Sequence, residues 1–333
     1  MKRSFKISSL LLAVLLLFCS CSSSGKAALT VGEGQVDIDV YAYFIDYVII
    51  NENKDKKMSE KEIKERANEL CLDYIKINTK FAEMKLSLNA AKKAQIAKEV
   101  TNNWAFFGSY YKSIGVSKQT LTKIAESNAF KDNLLLAIYD TSGTNPVSED
   151  SLKAYFKENY TFFKAVNGYL KVTDENGNEV AKSEQEIASA TESFNSMAKS
   201  ITTENTIDAV NLAYLESLGD TGSAELSISV INKTSKNYPD GFFQQVVSMA
   251  AGEVKVVAFD DYIFIVQHFD NFDESQGFYT NYRTTCLKEM TKVDFEKTID
   301  GWFKDFKSEA ISRVQNKCYK QIMSVRENNN SEK

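Results

Sequence analysis

Proline, histidine and cysteine are scarce in this chain of 333 residues, which has 2 prolines, 1 histidine and 5 cysteines. Because proline interrupts helices, so few prolines favour long helices over much of the sequence. The single histidine, His268, leaves no zinc site of ordinary ligand type and no second candidate base for a serine or cysteine nucleophile. Glycine-rich phosphate loops are absent as well. The sequence therefore predicts no metal, no cofactor and no catalytic residue of these common types.

The first 20 residues have the pattern of an export signal rather than of a folded domain. Three basic residues precede an apolar run from Leu10 to Phe18, which is too short to span a bilayer. The run ends at Cys19-Ser20-Cys21 and resembles a bacterial lipoprotein signal in which Cys21 takes the lipid. The alternative is a plain secretory signal with incidental cysteines. We expect residues 1–20 to be removed, residues 21–29 to form a tether, and the protein to be extracytoplasmic and lipid-anchored to a bacterial membrane.

Charge and cysteine usage exclude two further classes of protein. Removing the three basic residues of the signal lowers the formal net charge from −5 to −8, so we expect no nucleic-acid partner. The other cysteines after Cys21 are Cys71, Cys286 and Cys318. On one straight helix Cys286 and Cys318 would lie about 48 Å apart, too far to pair. We therefore expect buried apolar cysteines rather than a disulfide framework.

Helical periodicity dominates the sequence on both sides of its central part. A short strand pair is predicted from Ala28 to Ile38, with Asp39 as the N-cap of the first helix. Ser59 and Glu62 form a capping box that opens the second helix. Helices are predicted at Val40 to Ile50, Ser59 to Leu86, Asn89 to Ile114, Ser117 to Tyr139, and Asn281 to Arg326.

Several aromatic residues on these helices exceed what a core needs. The helix from Asn89 to Ile114 has a predicted core stripe consisting of Ile96, Val100, Trp104, Phe107, Tyr111 and Ile114. Phe106 and Tyr110 fall outside this stripe, and Trp302 and Phe303 stand side by side in the last helix. These four rings suit a surface for apolar, non-directional contacts. The alternative is that a second helix covers them.

The periodicity changes from about Asn167 onward, where strand patterns appear between short helices. The clearest unit runs from Gly241 to His268. It predicts a short helix, a Gly252-Glu253 turn, and two strands of alternating β-branched and aromatic residues joined at Asp260-Asp261. A compact α/β module therefore lies inside a helical protein.

Three segments together resemble the parvulin-type foldases of the SurA and PrsA kind. They are the strand pair and helix from Val31 to Ile50, the segment from Pro146 to Phe156, and the helix, Gly-Glu turn and strands from Phe243 to Val266. The second, PVSEDSLKAYF, is similar to the family's hinge-helix pattern P-V-T-x-E-E-L-x-x-Y-Y. The resemblance implies an α+β fold in which N-terminal helices and a long C-terminal helix form one chaperone domain around an inserted parvulin-like module.

The resemblance also implies boundaries, partners and site residues. Residues 30–163 would be the N-terminal helical region, 164–272 the parvulin-like module and 273–333 the C-terminal helix. The partners would be unfolded or secreted proteins, held by the candidate client-binding residues Phe106, Tyr110, Trp302 and Phe303. Phe243 and Met249 are candidates for a proline-binding cradle, with a core position as the alternative.

The chain departs from the family at the catalytic histidines. The family places one histidine in the first strand of the module and another near the start of the last, where this chain has Gly168 or Tyr169 and Ile263. His268 is predicted to be exposed, past the end of the last strand. We therefore expect a membrane-anchored folding factor, or holdase, and the missing histidines favour the absence of enzyme activity. The alternatives are an active peptidyl-prolyl isomerase with a divergent pocket, and a surface lipoprotein with a binding role.

Overall fold

The structure is a computed structural model that describes residues 26–32, 34–55, 57–220, 225–269 and 277–331. Helices dominate these ranges and the strands form small sheets, so the fold class is α+β, as predicted. The chain divides into two compact units. We call residues 1–146 and 291–333 the helical unit, and residues 147–290 the sheet unit. The predicted signal peptide and Cys21 lie outside the described residues.

The N-terminal part of the helical unit begins with a strand pair and continues as helices. Its elements are β1 (Ala27–Val31), β2 (Gly34–Asp37), α1 (Ile38–Tyr47) with a π-helical turn (Val48–Glu52), α2 (Glu60–Glu83), α3 (Ala90–Ser113) and α4 (Lys118–Tyr139). The predicted strand pair and the helices are confirmed. The predicted tether is too long by three residues, because β1 starts at Ala27 and both Ala28 and Leu29 are buried.

Helix starts in this unit follow from side-chain capping. The predicted box at the start of α2 is confirmed, since Glu62 N donates to Ser59 Oγ and Ser59 N donates to Glu62 Oε2 at 2.7 Å. The predicted N-cap of α1 is wrong by two residues. Asp37 occupies that position, while the Asp39 carboxylate accepts a hydrogen bond from Thr120 Oγ1 at 2.5 Å. Asp39 therefore ties α1 to α4 instead of capping α1.

The sheet unit is continuous in sequence. Its elements are α5 (Glu149–Asn159), β3 (Tyr160–Tyr169), β4 (Lys171–Thr173), β5 (Glu179–Ala181), α6 (Glu184–Ser200), α7 (Ile207–Ser217), β6 (Ser229–Asn232), α8 (Phe242–Val247), β7 (Val254–Ala258) and β8 (Tyr262–Phe269). It is wider than the predicted 164–272 module. One reason is that the Glu289 carboxylate, on the helix after β8, accepts hydrogen bonds from Tyr160 Oη and Asn232 Nδ2 at 2.9 Å.

Four antiparallel strands in the order β6-β3-β8-β7 form the main sheet of this unit. Successive residues of β3 point to opposite faces, so Phe163 and Val166 enter different core clusters. On one face, α8 packs through Phe242 and Val246. On the other face, α6 and α7 pack through Phe194 and Val210. Both faces of the sheet are therefore covered.

The C-terminal part consists of α9 (Phe278–Gly301), β9 (Ser308–Ala310) and α10 (Ser312–Ser331). The boundary between the two units falls within α9. The prediction of one helix from Asn281 to Arg326 is wrong, because the helix stops at Gly301 and Phe303 takes a positive φ of 52°. The chain then extends so that β9 pairs antiparallel with β1, Leu29 opposite Ala310. Helical spacing in the sequence continued across this break, which hid it.

The C-terminal segments pack on the N-terminal helices of the helical unit. Tyr139 of α4 meets the Phe295 ring edge-on at 6.2 Å, and Gln321 Nε2 of α10 donates to the Ser113 carbonyl of α3 at 3.0 Å. Cys71, Cys286 and Cys318 are free and buried, as predicted. The single-helix argument against a Cys286–Cys318 disulfide no longer holds, since the helix between them is broken.

Candidate functional site

A cleft of about 1040 Å³ opens on the α8 face of the sheet unit. Its apolar wall consists of Tyr169, Tyr238, Phe259, Tyr262 and Phe264. Its polar lining includes Asn167, Lys236, Asp240, Asp260 and Asp261. The lining therefore combines aromatic rings with polar and charged groups in about equal number.

The rings of the cleft wall support one another in pairs. Tyr238 stacks on the buried Phe242 of α8 at 4.5 Å, and its hydroxyl donates to Ser229 Oγ at 3.2 Å. Tyr262 stacks on Phe264 at 6.0 Å and lies 5.5 Å from Tyr169 across the strand pair. Tyr169 is 66% exposed although it has this cross-strand partner. The wall is therefore fixed in shape and still open to solvent.

Two tight turns place the carboxylates of the cleft. In the first turn, Phe242 N donates to the Pro239 carbonyl at 3.0 Å, and Gly241 takes a φ of 86°, which glycine adopts without strain. This turn presents Asp240. The second turn is the predicted one at Asp260-Asp261, closed by a hydrogen bond from Phe259 N to the Tyr262 carbonyl at 2.8 Å.

The two acids of the second turn differ in their contacts. Asp261 Oδ2 forms an ion pair with Lys171 Nζ at 2.8 Å. Asp260 and Asp240 are exposed, and the described part of the chain gives neither of them an ion-pair partner. Asp240 and Asp260 therefore keep their full charge available at the edge of the cleft.

The positions that match the family's histidines are apolar here. Gly168 lies directly opposite Ile263 in the β3–β8 register, and both face away from the cleft, toward α6. A Cβ on Gly168 would lie 2.4 Å from Phe194 Cζ, so the packing leaves no room for a side chain. Tyr169, the alternative match, lines the cleft but carries no imidazole.

His268 is not the exposed residue past the last strand that the sequence predicted. It lies within β8, half-buried, with Thr161 Oγ1 at 3.0 Å from Nε2 and the Ala250 carbonyl at 3.3 Å from Nδ1. Both ring nitrogens are therefore occupied by the protein. His268 fastens the turn before β7 to the first strand of the sheet.

Of the two predicted cradle residues, Met249 lies in the core and Phe243 is half-buried against it. Met249 is buried with Phe242 and Val246, and Phe243 packs against the same cluster. Neither residue lines the cleft described above. This is the alternative that the sequence left open for both residues.

In the helical unit, Phe106 is the most exposed of the predicted client-binding residues, at 82%. Phe107, assigned to the core stripe, is also exposed, at 57%, and its ring tilts against Phe106 at 6.4 Å. Tyr110 is half-buried, and its hydroxyl donates to Asp46 Oδ1 and accepts from Arg326 Nη1 at 3.1 Å. Burial, together with the Asp46 carboxylate, raises the pKa of Tyr110. Phe106 and Phe107 thus form an aromatic surface, and Tyr110 anchors the helix beneath it.

Trp302 and Phe303 follow the end of α9 and are half-buried. Trp302 meets Phe295 edge-on at 6.0 Å, and Lys80 Nζ lies 5.9 Å from the indole ring. Phe303 stacks on Phe306 at 4.5 Å. Each ring therefore keeps part of its surface free while it packs locally.

No family model matches the chain, and no curated protein matches it. Solved structures of foldases are similar to it over most of its length. The foldase protein PrsA from Lactococcus lactis is 11% identical with a TM-score of 0.40, and the match covers 89% of this chain and 99% of that one. PrsA from Streptococcus pneumoniae is 9% identical with a TM-score of 0.34, and the match covers 77% of this chain and 82% of that one. The peptidylprolyl isomerase PrsA from Bacillus cereus is 13% identical with a TM-score of 0.29, and the match covers 90% of this chain and 99% of that one.

Two further properties of the described residues bear on the site. No group of three or more His, Cys, Asp or Glu side chains within those ranges is placed to hold a metal ion. None of the described helices combines the length and apolar character that a membrane span needs.

The cleft could not be predicted from the sequence because Tyr238 and Asp240 precede α8 in a segment without periodicity. The only signal there was the Pro239-Asp240-Gly241 turn.

Proposed function

We propose that this protein is an extracytoplasmic folding factor that holds unfolded or secreted proteins, tethered to a bacterial membrane by lipid on Cys21. In this proposal the sheet unit binds polypeptide without isomerising it. The observation that carries the proposal is the cleft of the sheet unit, where an open aromatic wall lies in a module that has apolar residues at its two expected histidine positions.

The chemistry of the cleft supports binding rather than catalysis. Isomerisation of an X-Pro bond faces a barrier of about 20 kcal/mol, so an isomerase must stabilise the twisted amide with well-placed polar groups. The single histidine of the chain is held by Thr161 and Ala250 outside the cleft lining. Aromatic rings, in contrast, contact many different side chains without requiring one geometry.

The exposed pair Phe106 and Phe107 provides a second contact surface for clients in the helical unit. Contiguous exposed apolar surface, rather than scattered single apolar residues, is typical of an interaction site. Trp302 and Phe303 add partly free aromatic surface in the same unit. We assign client binding to these residues as part of the same proposal.

Aggregation of a chemically unfolded client, followed by light scattering, tests the holding function. We expect substoichiometric to equimolar mature protein to suppress scattering, and Phe106→Ser to weaken the suppression. Lys98→Ser, an exposed change on the same helix, is the matched control. No suppression by the wild-type protein would refute the proposal. Suppression unchanged in Phe106→Ser and Trp302→Ser would remove the helical unit from it.

Proline-limited refolding of a model substrate separates holding from isomerase activity. We expect no acceleration at catalytic protein concentrations. Acceleration that is lost when the cleft is altered would instead establish the alternative, an isomerase with a divergent pocket.

Lipid attachment is tested separately by Cys21→Ser, which should release the protein from membranes. Retention of the variant in the membrane fraction would contradict the anchor.

A further inference from the structure

We infer that the cleft of the sheet unit selects extended polypeptide segments in which a lysine or arginine adjoins an apolar residue. This inference rests on the proposed function, because it names the class of client segment that the cleft takes. Two features carry it: the aromatic wall and the sign of the charge at its edge.

The aromatic wall offers ring faces to a cation. Tyr169 and Tyr262 lie beside each other at the end of the β3–β8 ladder, and Tyr238 and Phe259 line the same cleft. The negative face of an aromatic ring attracts an ammonium or guanidinium group, and arginine also stacks flat on it. The same rings accept the apolar side chain next to the cation.

The charge at the edge of the cleft has the matching sign. Three of the lining residues are acidic, Asp240, Asp260 and Asp261, and one is basic, Lys236. Lys171 neutralises Asp261, but Asp240 and Asp260 are exposed and have no ion-pair partner in the described part of the chain. An acidic rim attracts basic segments and repels acidic ones, and the effect weakens with salt.

The rim and the wall act on the same segment because the strand geometry brings them together. Asp260 and Asp261 immediately precede Tyr262 in the β7–β8 turn, and Asp240 follows Tyr238 by two residues. Successive side chains of an extended peptide point to opposite sides, so a residue next to the cation reaches a different part of the lining. A basic residue at the rim therefore places its neighbour over the rings.

The test is binding of fluorescent peptides to the full mature chain, measured by anisotropy at low and high salt. Three peptides share one uncharged sequence of leucine, glycine and serine, and differ only in carrying arginine, glutamine or glutamate beside the leucine. We expect the arginine peptide to bind about five- to tenfold more tightly than the glutamine peptide at low salt. The glutamate peptide should bind most weakly, and high salt should reduce the differences.

Variants locate the effect in the cleft. The double variant Asp240→Asn with Asp260→Asn should bind the arginine and glutamine peptides equally. The matched control is Glu175→Gln with Glu192→Gln, which removes the same charge from exposed positions of the sheet unit outside the cleft and should keep the preference. Tyr169→Ser, at an exposed position, should weaken binding of the arginine peptide more than binding of the glutamine peptide. Circular dichroism and the Tm confirm that each variant is folded.

The outcomes separate this inference from the proposed function. Equal binding of the three peptides, or a preference for glutamate, overturns the inference. So does a preference for arginine that survives in Asp240→Asn with Asp260→Asn, since the basic segment then binds elsewhere. If the wild-type protein fails to suppress aggregation but keeps the arginine preference, the proposed function falls and the cleft's specificity stands.

Discussion

Arg326, on the last helix, forms an ion pair with Asp46, on the first, with 3.2 Å between Nη1 and Oδ1. The Asp46 side chain is 7% exposed, so the pair is buried on the carboxylate side. The Tyr110 hydroxyl contacts both groups. Three helices, α1, α3 and α10, are therefore joined at one polar cluster within the helical unit.

Removing the arginine should destabilise this cluster. Arg326→Met leaves a buried carboxylate without its cation, and we expect a loss of about 2 kcal/mol in the free energy of unfolding, less than for a fully buried pair because Arg326 is partly exposed. Urea unfolding followed by circular dichroism measures it. Arg313→Met, an exposed arginine on the same helix, is the control and should change stability by less than about 0.5 kcal/mol.

The pH dependence of stability should report Asp46 directly. Burial raises its pKa above the ordinary value of 3.8, and this outweighs the hydrogen bonds from Tyr110 and Arg326, which lower it. The folded state therefore binds the proton of the Asp46 carboxyl group more tightly than the unfolded state does. The stability that this proton contributes is fully present below pH 3.8 and is lost as the pH rises through the pKa of Asp46 in the folded state. We expect wild type to lose stability relative to Asp46→Asn over this range. A constant difference between the two proteins across the range would contradict the raised pKa.

Gly168 should not tolerate even one added methyl group. Because a Cβ there meets Phe194 and Ile263, we expect Gly168→Ala to cost about 2 kcal/mol of stability in the sheet unit. Gly301→Ala, where nothing lies near the added atom, should be neutral or slightly stabilising. Rescue by Phe194→Leu in the same chain would identify the ring as the obstacle. An unchanged Tm in Gly168→Ala would refute the packing argument.

His268 should matter for stability and not for client binding. In His268→Leu the buried Thr161 hydroxyl loses its ring partner, and the Ala250 carbonyl loses a second contact. We expect a loss of about 1 kcal/mol in the free energy of unfolding, with aggregation suppression unchanged once the variant is folded. A specific loss of client binding in a folded variant would instead place His268 at the functional site.

Sequence periodicity was sufficient where local chemistry decides the structure. The Ser59–Glu62 box and the Gly252 turn each depend on neighbouring residues alone, and both are present. The break in the helix after Gly301 could not be predicted in this way, because it depends on the pairing of β9 with β1, which is far away in the sequence. Phe107 was misassigned for a related reason. It continues the stripe of Ile96 and Val100, but its side chain is 57% exposed, whereas Ile114 at the end of the same stripe is buried.

The candidate site shows the same division. The strands that carry Tyr169 and Tyr262 were predictable from alternation, whereas the cleft arises only when the Pro239 to Gly241 turn comes next to them. Likewise, His268 Nε2 contacts Thr161 because strands β3 and β8 are neighbours, and Nδ1 contacts the Ala250 carbonyl because the turn before β7 lies beside the end of β8. Sequence spacing does not reveal either neighbour.

The pairing of β1 with β9 has a consequence for how the molecule is made. The Ala28 carbonyl, near the start of the described residues, accepts a hydrogen bond from Gln315 Nε2 at 2.9 Å, so the helical unit cannot be completed until nearly the whole polypeptide has been synthesised. The sheet unit, being continuous in sequence, is free to close earlier. A chain truncated after residue 307 should therefore have a folded sheet unit, while the amino-terminal part of the helical unit stays unfolded.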